Sequence, residues 1–336
     1  CIRDSNRVYT GSQHVHRTTD GGHSWEVISP DLTTNDKEKQ QKSGGLTPDD
    51  ASPTYACVLF AIDESPLEEG VIWTGSNDGI VHITRDGGAN WENVTENIPD
   101  FPPLGTISNI EASRYAAGAA YITVDYHQVN NTDPYIYKTE DYGKTWSLIS
   151  SGIPKSTHSY THCVREDPVR QGLLYAGTEN ALYVSFDDGD EWQPLQNNMP
   201  RVPVHWLTIQ EHFNDLVVGT YGRGFWILDD ITPLQQINEE IRGSDAYLLP
   251  PRDAYRFRNK ESHVSQPEDF GAGKNPTYGA SINYYLKSAP EGSVRISVLD
   301  GMGQTVRTFR GTTKPGINRV WWDLRHEPAR QAKLRT

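Results

Sequence analysis

The sequence predicts an all-β fold of repeated four-stranded units followed by a smaller β domain, and three observations carry that prediction. The first is a motif spelled four times: a hydroxyl residue, any residue, Asp, any residue, Gly, two further residues and Trp. It runs from Thr18 to Trp25, Thr84 to Trp91, Thr139 to Trp146 and Ser185 to Trp192. Four copies in one local context are an internal repeat, which fixes architecture before any other feature does. The second is composition, with 9 Trp and 17 Tyr against 2 Met and a mean hydropathy of -0.65. That mixture suits short, aromatic-rich strands better than helices. The third is the setting of each box. An apolar run ending in Gly-Ser or Gly-Thr precedes it, a short turn and a second run lead into it, and another short strand follows.

The units can be taken in order. The first contains Asp20 and begins at once inside the repeat, without an initiator Met. It is therefore expected to be incomplete, and the chain to be a piece of a longer protein. In the second, a strand over 55–62 precedes the run Val71–Ser76, which turns through Asn77-Asp78-Gly79 into Ile80–Thr84. The third ends on its box at Asp141 and the strand Trp146–Ile149. In the fourth, Leu173–Thr178 turns through Glu179-Asn180 into Ala181–Ser185. A fifth unit has no box: Val204–Ile209, Leu216–Thr220 and Gly224–Asp230. Four short strands per unit, joined by Gly-rich turns, make the blades of a β-propeller, here about five of them over residues 1–232. An open arc leaves sheet edges bare, so the ring is expected to be completed by a missing N-terminal part or by a partner chain. Residues 233–244 read as a linker, with a short helix over 231–242. Residues 245–336 read as a small β-sandwich of the Ig or fibronectin kind. Its strands are Tyr278–Leu286, Val294–Leu299, Thr305–Phe309 and Arg319–Leu324, with a hairpin turn at Asp300-Gly301-Met302-Gly303.

Bulk properties exclude some functions. A formal charge of -13 argues against a nucleic-acid partner, because phosphate binding needs a basic surface. Cys1, Cys57 and Cys163 are too few and too scattered for a disulfide framework or a zinc site. No stretch approaches the roughly 20 apolar residues of a membrane span.

The boxes themselves read as structure. Asp followed by one residue and Gly belongs at a tight turn between a blade's third and fourth strands, where its oxygens accept backbone N–H bonds. The hydroxyl bonds within the same hairpin, and Trp packs over the turn. Asp20, Asp86, Asp141 and Asp187, with Trp25, Trp91, Trp146 and Trp192, are thus expected to staple hairpins rather than to catalyse.

The repeated S/T-x-D-x-G-x-x-W resembles the Asp box, or BNR repeat, of sialidases, sortilin-type Vps10 propellers and xyloglucanase-like glycoside hydrolases. A group of large bacterial proteins with sortilin-like propellers, labelled glycosyl hydrolases, is more similar still. The segments that carry this are Ser29–Thr33, Gly70–Gly75, Tyr135–Trp146, Gly219–Asp230 and, in the tail, Gly316–Arg325. The resemblance implies a secreted, periplasmic or cell-surface protein with a longer N-terminus. It transfers no catalytic motif residue by residue.

Propellers bind ligands on the face opposite the boxes, where second-to-third-strand loops and inter-blade loops meet the central channel. Those loops offer His14, Asp78, Asp125, His127, Glu179, Tyr221 and Arg223 as a mixed polar rim. Asp78, Asp125 and Glu179 are the candidate carboxylates for a glycosidase, which needs two, one with a raised pKa. His14, His127, Tyr221 and Arg223 are the candidate ligand contacts. One Arg beside Tyr221 is too few for the arginine cluster of a sialidase. His14 with His16, and His158 with His162, are close in sequence but lack a carboxylate set that defines a metal, so no metal site is expected. Structural calcium on loop oxygens is the one cofactor considered, without an EF-type or RTX-type spacing to support it. The leading expectation is an extracytoplasmic binding or scaffold module for protein, peptide or glycan. The alternative is a glycoside hydrolase using the rim carboxylates.

Overall fold

A computed structural model describes residues 2–4, 7–41, 56–256 and 275–328. The chain forms two compact units, 1–228 and 229–336. The first unit is a set of β-propeller blades, each an antiparallel sheet in simple sequence order. Blade 1 contains β1 (Ile2–Asp4), β2 (Arg7–Gly11), β3 (Val15–Thr18) and β4 (Glu26–Val27). Blade 2 contains β5 (Leu59–Glu64), β6 (Ile72–Ser76), β7 (Val81–Thr84) and β8 (Glu92–Asn93). Blade 3 contains β9 (Thr106–Ala112), β10 (Ala120–Asp125), β11 (Tyr135–Thr139) and β12 (Ser147–Leu148). Blade 4 contains β13 (Thr161–Glu166), β14 (Leu174–Thr178), β15 (Leu182–Ser185) and β16 (Gln193–Pro194). The boxless blade 5 has three strands, β17 (Val204–Gln210), β18 (Asp215–Thr220) and β19 (Phe225–Leu228). The first blade has four strands too, its inner one only three residues long.

The core lies between blades. One cluster joins Trp73, Val81 and Ile83 of blade 2 to Ile107, Ile122 and Tyr137 of blade 3. Another joins Tyr121 and Ile136 to Val164, Leu174 and Tyr183. Middle strands are covered on both faces, which is why Ile72–Ser76 and Leu174–Thr178 read as unbroken runs and are buried at every position. The Gly of Gly-Ser in β6 has a packing reason. A Cβ on Gly75 would stand 2.3 Å from Cγ2 of Ile107, on the inner strand of the next blade.

The boxes lie between third and fourth strands. In each, the hydroxyl donates to Asp Oδ1 at 2.7–3.0 Å and accepts the N–H of the box Gly at 2.9–3.0 Å. Asp Oδ1 in turn accepts the N–H of the residue before Trp at 2.8–3.0 Å. These bonds hold Asp20 down to a pKa of about 2, with the Ser24 hydroxyl and amide contributing most. The tryptophans do more than cover their own turns. Trp91 Nε1 donates to the carbonyl of Ile28 at 2.9 Å, and Trp192 Nε1 to that of Ile149, each in the preceding blade. Trp192 is 2% exposed; Trp25, with no blade before it among the described residues, is 45% exposed.

The second unit holds two short helices, Thr232–Gln236 and Glu239–Gly243, where the sequence suggested one. Ile237 is extended and breaks them, and the Asn238 side chain caps the second by accepting from the Ile241 N–H at 2.8 Å. Two antiparallel sheets follow. One orders β20 (Ala246–Leu248), β21 (Ala280–Leu286) and β24 (Gly316–Trp322); the other pairs β22 (Arg295–Leu299) with β23 (Thr305–Arg310). Arg319 binds the carbonyls of Asp229 and Asp230 and the side chain of Asn283 at 2.8–2.9 Å. No described helix is long and apolar enough to cross a membrane. The polar inter-blade loop 30–54 is described only to residue 41, and most of 261–276 lies outside the described residues, as does Cys1. Cys57 and Cys163 are buried free thiols, and burial pushes the Cys163 thiol up to about 12.

Candidate functional site

Strand direction alternates within a blade, so the connections after β10, β14 and β18 and the starts of β13 and β17 lie at the end opposite the boxes. At this end the inner strands share an irregularity. In β13, Thr161 pairs with Thr178 and Cys163 with Gly177, which leaves His162 as an extra residue. In β17, Val204 pairs with Thr220 and Trp206 with Gly219, which leaves His205 in the same place. Phe60 and Ser108 occupy the corresponding positions in β5 and β9. A bulge bends the strand and re-aims its extra side chain, so two consecutive blades present an imidazole from one structural position.

These imidazoles belong to a row of rings that crosses three blades. His127 stacks on Tyr160 with centroids 4.6 Å apart, and Tyr160 meets His162 edge-on at 5.2 Å. His162 and His205 lie 4.1 Å apart, and His205 stacks on Tyr221 at 5.4 Å. Carboxylates flank the row. Asp125 accepts from the backbone N–H of His127 at 3.0 Å, and its Oδ1 is 2.6 Å from His127 Nδ1. Glu179 Oε2 is 2.9 Å from His162 Nε2 and 3.9 Å from His205 Nε2. The loop carrying Glu179 is held by its own N–H, which donates to the carbonyl of Tyr160 at 3.1 Å. Burial, and then the Glu179 carboxylate, raise the pKa of the Tyr160 hydroxyl. Burial, then the neighbouring His162, lower that of His205 against the pull of Glu179 and Asp125. The row ends in the open, with Tyr221 72% exposed.

Of the residues named from the sequence, Asp125, His127, Glu179 and Tyr221 meet in this row. Arg223 stands exposed on the loop after Tyr221. Asp78 is used otherwise. It is buried, and its Oδ2 accepts both the N–H and the hydroxyl of Thr34, so it ties the inter-blade loop to blade 2. Burial pulls its pKa up, but polar hydrogens around the carboxylate, those of Thr34 among them, outweigh that and leave it lowered, the reverse of a catalytic acid. His14 lies on the turn of blade 1, where its N–H donates to Ser12 Oγ, and its neighbour His16 is engaged with the same hydroxyl. His158 does not pair with His162. Its N–H donates to Ser156 in a loop, while His162 turns to Glu179 and His205. Tyr160 and His205 are not among the residues that the sequence singles out. Aligning Tyr160-Thr161-His162 with Pro203-Val204-His205, each at the end of an inter-blade loop, was the signal that could have found them.

No family model matches the chain. Vacuolar protein sorting/targeting protein 10 of Laccaria bicolor is 31% identical over 122 residues, a match that covers 36% of this chain and 7% of that protein. The propeller is thus similar to Vps10 over part of its length. The chain spans a small fraction of that relative. Among solved structures, YCF48 bound to a peptide aligns at 19% identity over 67% of this chain and 62% of its own, with a TM-score of 0.42. A GH74 xyloglucanase from Xanthomonas campestris aligns at 16% identity over 68% and 35%, with a TM-score of 0.48. The GH74 enzyme of Niastella koreensis aligns at 15% identity over 69% and 35%, with a TM-score of 0.49.

Proposed function

We propose that this chain is part of an extracytoplasmic binding propeller that holds a peptide segment or glycan chain against the row His127, Tyr160, His162, His205 and Tyr221. The row is the observation that carries the reading. The five rings from three blades, at the loop end and with His127, His205 and Tyr221 exposed, form an aromatic ridge against which sugar rings or peptide side chains pack. Asp125 and Glu179 add acceptors for hydroxyl or amide donors. A partner chain or further blades complete the ring around the ridge.

The hydrolase reading draws on the same two carboxylates, Asp125 and Glu179. With Asp78 committed to Thr34, they are the remaining pair.

Glycan and peptide arrays probed with the chain, followed by hydrolysis assays on each hit, test both. Binding lost at least tenfold in Tyr160→Ala and Tyr221→Ala, with no turnover, supports the binder. Turnover abolished by Glu179→Gln replaces it with the hydrolase. Hits that bind both variants as tightly as the unaltered chain defeat the ridge.

A further inference from the structure

Among the described residues, His162, Glu179 and His205 form the one group of three His, Cys, Asp or Glu side chains whose ligating atoms converge, all within 4.8 Å of one another. They come from three separate places, two bulged inner strands and one second-to-third-strand loop. No short sequence motif announces them. We infer that Nε2 of His162, Oε2 of Glu179 and Nε2 of His205 bind a divalent zinc ion on the loop face, with a fourth position open to water or ligand.

The geometry and the donor chemistry support this independently. Tetrahedral zinc with bonds of about 2.0–2.2 Å sets neighbouring donors about 3.3–3.6 Å apart. The separations of Glu179 Oε2 from the two imidazole nitrogens, 2.9 and 3.9 Å, bracket that spacing. Two imidazoles and one carboxylate suit zinc-class ions, whereas calcium and magnesium require oxygen ligands. The support is already in place before any ion arrives. The Glu179 N–H is bound to the Tyr160 carbonyl at 3.1 Å, which fixes the loop that carries the carboxylate. Such outer partners orient a ligating group. The three side chains also differ in access, with His162 12%, Glu179 24% and His205 47% exposed. His205 therefore leaves the open position facing solvent. The ion would sit at this cluster whether the ridge takes a peptide or a glycan.

The untagged chain, stripped with a chelator and dialysed, is titrated with zinc, calcium and magnesium chlorides by calorimetry. One zinc per chain is expected, with calcium and magnesium bound far more weakly. His162→Ala, His205→Ala and Glu179→Gln each weaken zinc by about tenfold or more, while His14→Ala and His158→Ala leave it unchanged. Cobalt loading adds a readout of coordination itself: visible d–d absorption of a four-coordinate ion in the unaltered chain, lost in Glu179→Gln. His205 is nearly half exposed, so its variant keeps the fold, which circular dichroism checks. No zinc uptake, uptake undiminished in both histidine variants, or a preference for calcium overturns the assignment.

Discussion

Thr139 shows how much a single box side chain does. Its hydroxyl donates to Asp141 at 3.0 Å and accepts the Gly143 N–H at 3.0 Å, and the residue is 2% exposed. Thr139→Val keeps the shape but strands a buried N–H, at a cost of about 1–3 kcal/mol. A fall in Tm of several degrees in a thermal melt is the expected result; an unchanged Tm would remove the staple role. The tryptophans separate by position rather than by type. Trp192→Ala empties a fully buried site and costs about 3–5 kcal/mol, while Trp25→Ala, at a half-exposed site, costs far less. Equal losses in denaturant titrations would contradict the inter-blade docking of Trp192. Glu111 gives the pH dependence. Burial holds its carboxyl up to about 7, against the pull of Arg165, whose Nη1 lies 3.2 Å away. A group whose folded pKa is raised contributes stability below its unfolded value of 4.5, and that contribution is lost as pH rises to about 7. Glu111→Gln should therefore raise Tm relative to the unaltered chain above pH 7, and the gap should close below about pH 4.5. A gap that is constant with pH refutes this.

At the scale of the element, the blade repeat was legible because packing and sequence share a period. The box hydroxyl, Asp, Gly and Trp all act within one hairpin or on its immediate neighbour, so they sit at fixed spacing. Gly75 was legible as part of Gly-Ser, though its reason was not, since Ile107 belongs to the next blade. Gly75→Ala should lower Tm more than Gly219→Ala, where a Cβ meets only ordinary contacts at 3.5 Å or more. The reverse order would show that neighbouring blades do not set the Gly. The candidate site was half legible. Asp125, at the end of β10, and His127, Glu179 and Tyr221, in the connections that follow second strands, stand where the blade alignment exposes them. His162 and His205 lie inside strands, and a strand's alternation does not reveal a one-residue bulge. Asp78 illustrates the opposite error: a carboxylate on the right loop is turned inward by Thr34, a residue 44 positions away in sequence.

In unit 1 the large buried clusters span neighbouring blades, so interfaces between blades add to what each sheet contributes by itself, as in other repeat arrays. Blades 2 to 4, each flanked on both sides, should show the slowest amide exchange, with β6 and β14 slowest of all. Blade 1 should exchange first. Uniform protection across blades 1 to 4 would contradict this. The reach of Trp91 to Ile28 and of Trp192 to Ile149 also has a direction. In both, the turn that is locked was made after the residue that locks it, since a chain leaves the ribosome from its N-terminus. Every such turn emerges to find its acceptor already translated. For the boxes of blades 2 and 4 the earlier blade therefore supplies, in the order of synthesis, the acceptor on which the later turn closes.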